Sequence, residues 1–398
     1  MSIRCDLFCR VIDNYGDIGV CWRLARQLQR EHGVALTLWV DDLTVFARLA
    51  PGLDTQAAAQ SLDGLTVRHW RDDAAINAVP GQLVIEAFAC ELPAVFVAAM
   101  AAQSPPPVWL NLEYLSAESW VEDCHGLASV HAATGLPKHF WFPGFTARTG
   151  GLLREDELLS HRDRFQMDSA AEAAFWQRIG VPDAPAFQRR VSLFAYENPA
   201  IAGLLTALAE DREPALLLVP EGRALGDVAA WAKARSLNNS HDSLSNSRSA
   251  LNNSLGALKA GDRIEQGSLT VAVLPLLAHE DYDRLLWACP LNAVRGEDSF
   301  IRAQWAGHPL LWHIYPQEEE AHLAKLEAFI QQVERQTAMP AVWAEAMRAW
   351  NKGDARPELW AALVADLPQL APPARDWSRH LAGQTDLASG VMHFYRRQ

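Results

Sequence analysis

Two successive runs of alternating strand and helix signals constrain this chain more than any other feature, and together they require an α/β fold. In the first half, short apolar runs at residues 6–12, 35–40, 83–88, 108–112 and 140–142 are separated by helical or irregular stretches, the pattern of βαβ units on a parallel sheet. A second alternation begins near Arg190. Strands at 191–196, 215–219, 269–274, 291–294 and 310–314 are each followed by a helix, at 199–210, 225–234, 281–288, 299–306 and 318–334. Helical, proline-punctuated segments at 342–350, 357–364 and 373–382 close the chain.

A length of 398 residues exceeds what one core organises comfortably. The expected division is a Rossmann-like N-terminal domain over 1–183, a second over 189–370, and a helical tail over 371–398 that packs back on the first. Residues of about 236–256 are rich in Ser and Asn and too polar to build a core, so they read as a surface insertion. No apolar run reaches the roughly 20 residues of a membrane span. Met1-Ser2-Ile3-Arg4 leads straight into a strand with no signal-peptide character, and the six cysteines show no C-x-x-C spacing. Reduced thiols in a cytoplasmic protein are the expectation. A net charge of −13 argues against binding a phosphate backbone, so no nucleic-acid partner is expected. Most of the fifteen tryptophans adjoin apolar residues (Trp22, Trp39, Trp109, Trp141, Trp287, Trp305, Trp312) and read as packing.

Two turns carry chemistry-bearing side chains. The run Val11-Ile12-Asp13-Asn14-Tyr15-Gly16-Asp17-Ile18-Gly19-Val20 is a strand breaking into a glycine-flanked turn with two carboxylates. A helix then opens with Ile18, Cys21, Leu24, Ala25 and Leu28 on one face. Strand-to-helix turns at the carboxyl edge of a parallel sheet are where α/β enzymes place their sites. In the second half, a strand ends at Gly296 and a helix begins near Glu297 or Asp298. Free N–H groups there, with the Ser299 hydroxyl, can bind a pyrophosphate. Residue type alone leaves a second reading open for Asp17, Glu297, Asp298 and Ser299, as ordinary helix-terminal residues. Asp281-Tyr282-Asp283 has a D-x-D pattern but opens an amphipathic helix, and no histidine spacing suggests a metal site. G-x-G-x-x-G and G-x-S-x-G are absent, which disfavours a dehydrogenase and the common hydrolase elbow.

The arrangement is that of a GT-B glycosyltransferase, two facing Rossmann-like domains with an interdomain cleft, the first supplying a base and the second holding a nucleotide-sugar. Five segments narrow it: residues 13–26, Leu193-Phe194-Ala195-Tyr196-Glu197, Asp281-Tyr282-Asp283, Arg295-Gly296-Glu297-Asp298-Ser299-Phe300 and His313-Ile314-Tyr315-Pro316-Gln317. In order along nearly the whole chain, they resemble the protein-arginine rhamnosyltransferases that modify bacterial translation elongation factor P. The resemblance implies inverting transfer of L-rhamnose from TDP-β-L-rhamnose to one arginine of that factor, which would activate it for rescue of ribosomes stalled at polyproline. It implies no metal and no cofactor. Asp17 would be the base and Asp13 an essential neighbour, with Asn14, Tyr15 and Gly16 in the same substrate-binding turn. Phe194 and Tyr196 would line the nucleotide pocket, Glu297, Asp298 and Ser299 would hold the ribose or pyrophosphate, and Tyr315 would contact the diphosphate. Leu276 stands where family members often place a phenylalanine against thymine, and His279 and Glu280 where glutamines are usual. Without that aromatic face, stacking on the base would be weaker. A glycan or lipid acceptor, or a nucleotide-sugar-binding protein without catalysis, are the alternatives. Neither a membrane-facing stretch nor loss of the two aspartates supports them.

Overall fold

The computed structural model describes residues 2–12, 15–71, 78–240, 257–317 and 320–398, without the side chains of 238–240. Asp13 and Asn14, and most of the polar insertion, lie outside the described residues. The contacts divide the chain into two units, one of residues 1–158 and 380–398, the other of residues 159–379.

In the first unit the strands are β1 (Arg4–Cys9), β2 (Ala35–Val40), β3 (Ala59–Leu62), β4 (Leu65–His69), β5 (Leu83–Ala87), β6 (Val108–Leu112), β7 (Ala128–Val130) and β8 (Pro137–Trp141). They form one sheet in the order β3-β4-β2-β1-β5-β6-β8-β7. All pairings are parallel except the two hairpins at the edges, β3 with β4 and β7 with β8. The chain winds outward from β1 to β4, then returns to β5 and winds the other way, which is the doubly wound order. β1 is central and covered on both faces, so Cys5, Leu7, Phe8 and Cys9 are all buried. One face packs Phe8, Trp39, Trp70, Phe96, Met100 and Trp109 into a cluster, with the Phe8 and Trp39 rings stacked at 5.2 Å. The helix Gly16–His32 takes the apolar face expected of it, with Ile18, Cys21, Leu24, Ala25 and Leu28 fully buried. It stops at Gly33, whose φ of 65° is the left-handed cap that glycine adopts without a Cβ penalty. The C-terminal helix Leu387–Tyr395 packs against this helix, and Gln27 ties them by donating to Asp386 at 3.0 Å.

The second unit holds β9 (Arg189–Leu193), β10 (Ala215–Pro220), β11 (Arg263–Gln266), β12 (Leu269–Leu274), β13 (Leu291–Arg295) and β14 (Leu310–His313). Their order is β11-β12-β10-β9-β13-β14, parallel except for the edge pair β11 and β12. The helices Leu158–Met167 and Ser169–Arg178 precede this sheet in sequence and pack with it through Phe165 on Trp287 and Arg178 on Asp281. The named tryptophans are all buried, as packing residues should be.

Several elements differ from the sequence reading in their extent. β3, β4, β7 and β11 were not legible, because strands of three to five residues with exposed or only alternately buried side chains carry little apolar signal. The helix read as ending at 234 runs Leu225–Ser240, into the polar segment. The helix read from Pro373 starts at Leu367 and carries Pro372 and Pro373 within it. Among the described residues, no helix is long and apolar enough to cross a membrane.

Candidate functional site

In each sheet the chain reverses its winding beside the first strand, between β1 and β5 in one and between β9 and β13 in the other. Open α/β sheets bind ligands outside the carboxyl ends of their strands at such a point. The described candidates fall in the loops or helix starts that follow β1, β9, β12, β13 and β14.

After β1 the chain is held by two carboxylates. Val11 N–H donates to Asp41 Oδ1 and Ile12 N–H donates to Asp17 Oδ2, both at 2.9 Å. Tyr15 precedes the helix without a capping side-chain hydrogen bond, and Gly16 is its first residue. Asp17 lies in the first turn and is 2% exposed. Its second oxygen, Oδ1, accepts from the Tyr114 hydroxyl at 3.4 Å. Asp17 therefore does not act as a simple N-cap. It closes the loop that leads into the helix and is covered by a tyrosine from the far end of β6.

In the second unit the decisive residue is Arg295, the last of β13. Its guanidinium lies over two rings at once, 4.7 Å from Phe194 and 4.6 Å from Tyr196. Arg295 is 6% exposed, and its Nη1 has no hydrogen-bond partner among the described residues. A buried cation with an N–H left over is costly unless an anion completes it. The sequence reading did not single out Arg295, although it stands in a quoted motif. Gly296 follows with φ of 58°, turning the chain into the helix Asp298–Ala306. That nine-residue helix begins with no side-chain cap from Glu297, three residues after the arginine in sequence, and helix N-termini favour anions.

The remaining candidates surround this point unevenly. Tyr196 meets His313 at 5.2 Å and Tyr315 at 5.5 Å, both edge-on, and Tyr315 is half exposed. Phe194 packs edge-on against Tyr282. Leu276 is half-buried beyond β12, and His279 Nε2 sits 3.9 Å from Asp298 Oδ2, which links that loop to the helix start. The Ser299 hydroxyl is engaged locally: it donates to the Arg295 carbonyl at 2.5 Å and accepts from the Arg295 N–H at 3.1 Å. Its place is to clamp the turn that aims Arg295. The D-x-D carboxylates are likewise committed to guanidinium groups. Asp283 is bidentate to the buried Arg302, at 3.0 and 2.7 Å, while Asp281 pairs with Arg178 and Arg284. Among the described residues, no group of three or more His, Cys, Asp or Glu side chains could hold a metal ion.

Two histidines in this unit are held well below their ordinary 6.5. Burial first, then Arg295 and His322, pushes His313 down to about 4, and burial does the same to His308. Their folded values lie below the unfolded one, so the unfolded chain binds more protons between those limits. The stability these two histidines contribute is complete above about pH 6.5 and should fall as pH drops from there toward 4. Melting temperature measured from pH 7.5 to 4.5 should decline over that window. A His308→Gln, His313→Gln variant with the parent's slope would remove them as the source.

A family model described as the elongation factor P (EF-P) rhamnosyltransferase EarP matches residues 5–396. The chain belongs to this family. Protein-arginine rhamnosyltransferases of Pseudomonas aeruginosa and Pseudomonas putida are 50% and 49% identical to it. The first match covers 98% of each chain, the second all of this chain and 99% of the relative. A solved EarP structure, described as the basis for arginine glycosylation of translation elongation factor EF-P, is 37% identical with a TM-score of 0.66, over the full length of both chains. Members of the family are protein-arginine rhamnosyltransferases, and this chain is one: a GT-B glycosyltransferase with two Rossmann-like units, acting on protein arginine rather than on a glycan or lipid.

Proposed function

We propose that this enzyme transfers L-rhamnose from TDP-β-L-rhamnose to one arginine of elongation factor P, with inversion, in the cytoplasm, and so activates that factor for polyproline rescue. The observation that carries the donor half is the incomplete cation at Arg295, followed in sequence by the start of helix Asp298–Ala306, which has no side-chain cap. A diphosphate supplies the missing anion. The same groups would steady the charge that grows on TDP as the glycosidic bond breaks, the part a metal plays in other transferases, so neither a metal nor a cofactor is required. Contacts with the Phe194 and Tyr196 rings hold the guanidinium in place. Tyr315, Glu297, Asp298, Leu276 and His279 would meet the rest of the nucleotide, with Ser299 acting through the Arg295 turn.

The acceptor half rests on Asp17. A guanidinium has no free lone pair and stays protonated, so it cannot be deprotonated ahead of attack. A carboxylate gripping it localises density on one nitrogen as C1 of rhamnose becomes cationic. The nitrogen then bonds to C1 from the face opposite the phosphate, TDP leaves with the electron pair, and the surplus proton passes to Asp17. Asp13 and the turn of Asn14, Tyr15 and Gly16 would complete the acceptor grip. The net charge of −13 suits a cationic loop on a protein partner and not a nucleic acid.

Intact-mass analysis of elongation factor P after incubation with this protein and TDP-rhamnose tests the reading. Gain of one deoxyhexose, mapped to one arginine, is the expected result. An unchanged acceptor mass with both substrates intact overturns it.

A further inference from the structure

We propose that Tyr114 is both the cover of Asp17 and the surface on which the acceptor arginine lies, an inference that rests on Asp17 being the base. Tyr114 follows β6, and its ring stacks on Phe88 at 4.5 Å with 17° between the planes. Phe88 is buried behind it, so one face of Tyr114 is supported, and the tyrosine as a whole is 37% exposed. Phe88 and Ala89 adopt φ of 56° and 51°, left-handed backbone that residues with a Cβ adopt only at a cost. Cross-strand bonds hold them there: Phe88 N–H donates to the Leu112 carbonyl at 2.7 Å and Ala89 N–H to Asn111 Oδ1 at 3.2 Å. The strained turn thus pins Phe88 where it can back the tyrosine.

The hydroxyl end of the same side chain explains how a buried carboxylate meets a substrate. At 3.4 Å the Tyr114 hydroxyl makes a long hydrogen bond to Asp17 Oδ1, which sets the ring beside the carboxylate proposed to receive the acceptor. The other oxygen is tied by Ile12 at 2.9 Å, which fixes the plane of the carboxylate. An arriving guanidinium exchanges the weak neutral donor for a charge-assisted one, and its flat face lies on the ring that Phe88 supports. Tyr114 is then a positioning residue through its hydroxyl and a binding residue through its ring.

The two roles separate by substitution. Tyr114→Phe keeps the ring and removes the hydroxyl, so acceptor KM should hold within about twofold while kcat falls about tenfold. Tyr114→Leu removes the aromatic face as well, and acceptor KM should rise about tenfold or more. Melting temperature and calorimetric affinity for TDP should both match the parent in the two variants, which shows that each unit is folded. Acceptor KM unchanged in Tyr114→Leu, or kcat unchanged in Tyr114→Phe, overturns the proposal. Asp17→Asn measured alongside separates the two failures. If that variant is active, the base assignment falls; if it is dead while both Tyr114 variants match the parent, only the role of Tyr114 falls.

Discussion

Asp17→Asn is expected to abolish rhamnosyl transfer, a loss of about 10³-fold or more in kcat, while affinity for TDP stays within a few-fold of the parent. The substitution is close to isosteric, and the site can absorb it. The amide oxygen can still accept from Ile12 N–H, and the amide nitrogen can donate to the Tyr114 hydroxyl, which also accepts. Loop and helix start should therefore survive, and the melting temperature should move little. What disappears is the negative charge that grips a guanidinium and the site that takes its proton. A loss of about 10³-fold corresponds to about 4 kcal/mol of transition-state stabilisation, more than a neutral hydrogen bond supplies. Single-turnover transfer with saturating donor, followed by acceptor mass, is the measurement. Turnover near that of the parent would take Asp17 out of the mechanism and leave it the closing of its loop.

Arg295→Met should weaken TDP binding about 100-fold, or about 2.7 kcal/mol, without lowering the stability of the free protein. Methionine keeps a long apolar side chain beside Phe194 and Tyr196, in reach of the space the guanidinium occupies. In the free protein that guanidinium is buried with Nη1 lacking an acceptor, so removing it relieves a desolvation cost as well as forfeiting two ring contacts. The bound state would lose the partner proposed for the diphosphate and regain nothing. Calorimetry with TDP and melting curves with and without nucleotide separate the two effects: the parent should gain stability from TDP, and the variant little. If TDP affinity stays within threefold, the cation serves packing alone. If the free variant melts far below the parent, the arginine is structural. The contrast with Asp283 is direct. That carboxylate is satisfied by Arg302 in a buried bidentate pair, and removing one partner from such a pair typically costs about 3–5 kcal/mol.

Much of the candidate site was legible because its residues stand in local strand-turn-helix motifs. Asp17, Gly296, Glu297 and Asp298 mark places where an apolar run gives way to a turn and an amphipathic helix, a pattern visible within about ten residues. Their side-chain roles were less legible. Asp17 lies buried under a tyrosine, and Ser299 clamps the backbone of Arg295 rather than facing outward. Both are short polar side chains, which satisfy whichever backbone group the turn leaves over, and residue type does not say which.

By itself, the sequence determined the α/β class, the presence of two parallel sheets, and the buried face of the helix Gly16–His32. These follow from periodicity, which is a property of neighbours along the chain. It also carried the family, through motifs long enough to be specific. Tertiary structure alone decided that Tyr114 reaches Asp17 across 97 residues of chain, and that Arg295 lies on Phe194 and Tyr196. The physical reason is the winding order. It sets β1 beside β5, with β6 next, and β9 beside β13, so strand ends remote in sequence converge at one edge of each sheet. Spacing along the chain holds no record of that convergence.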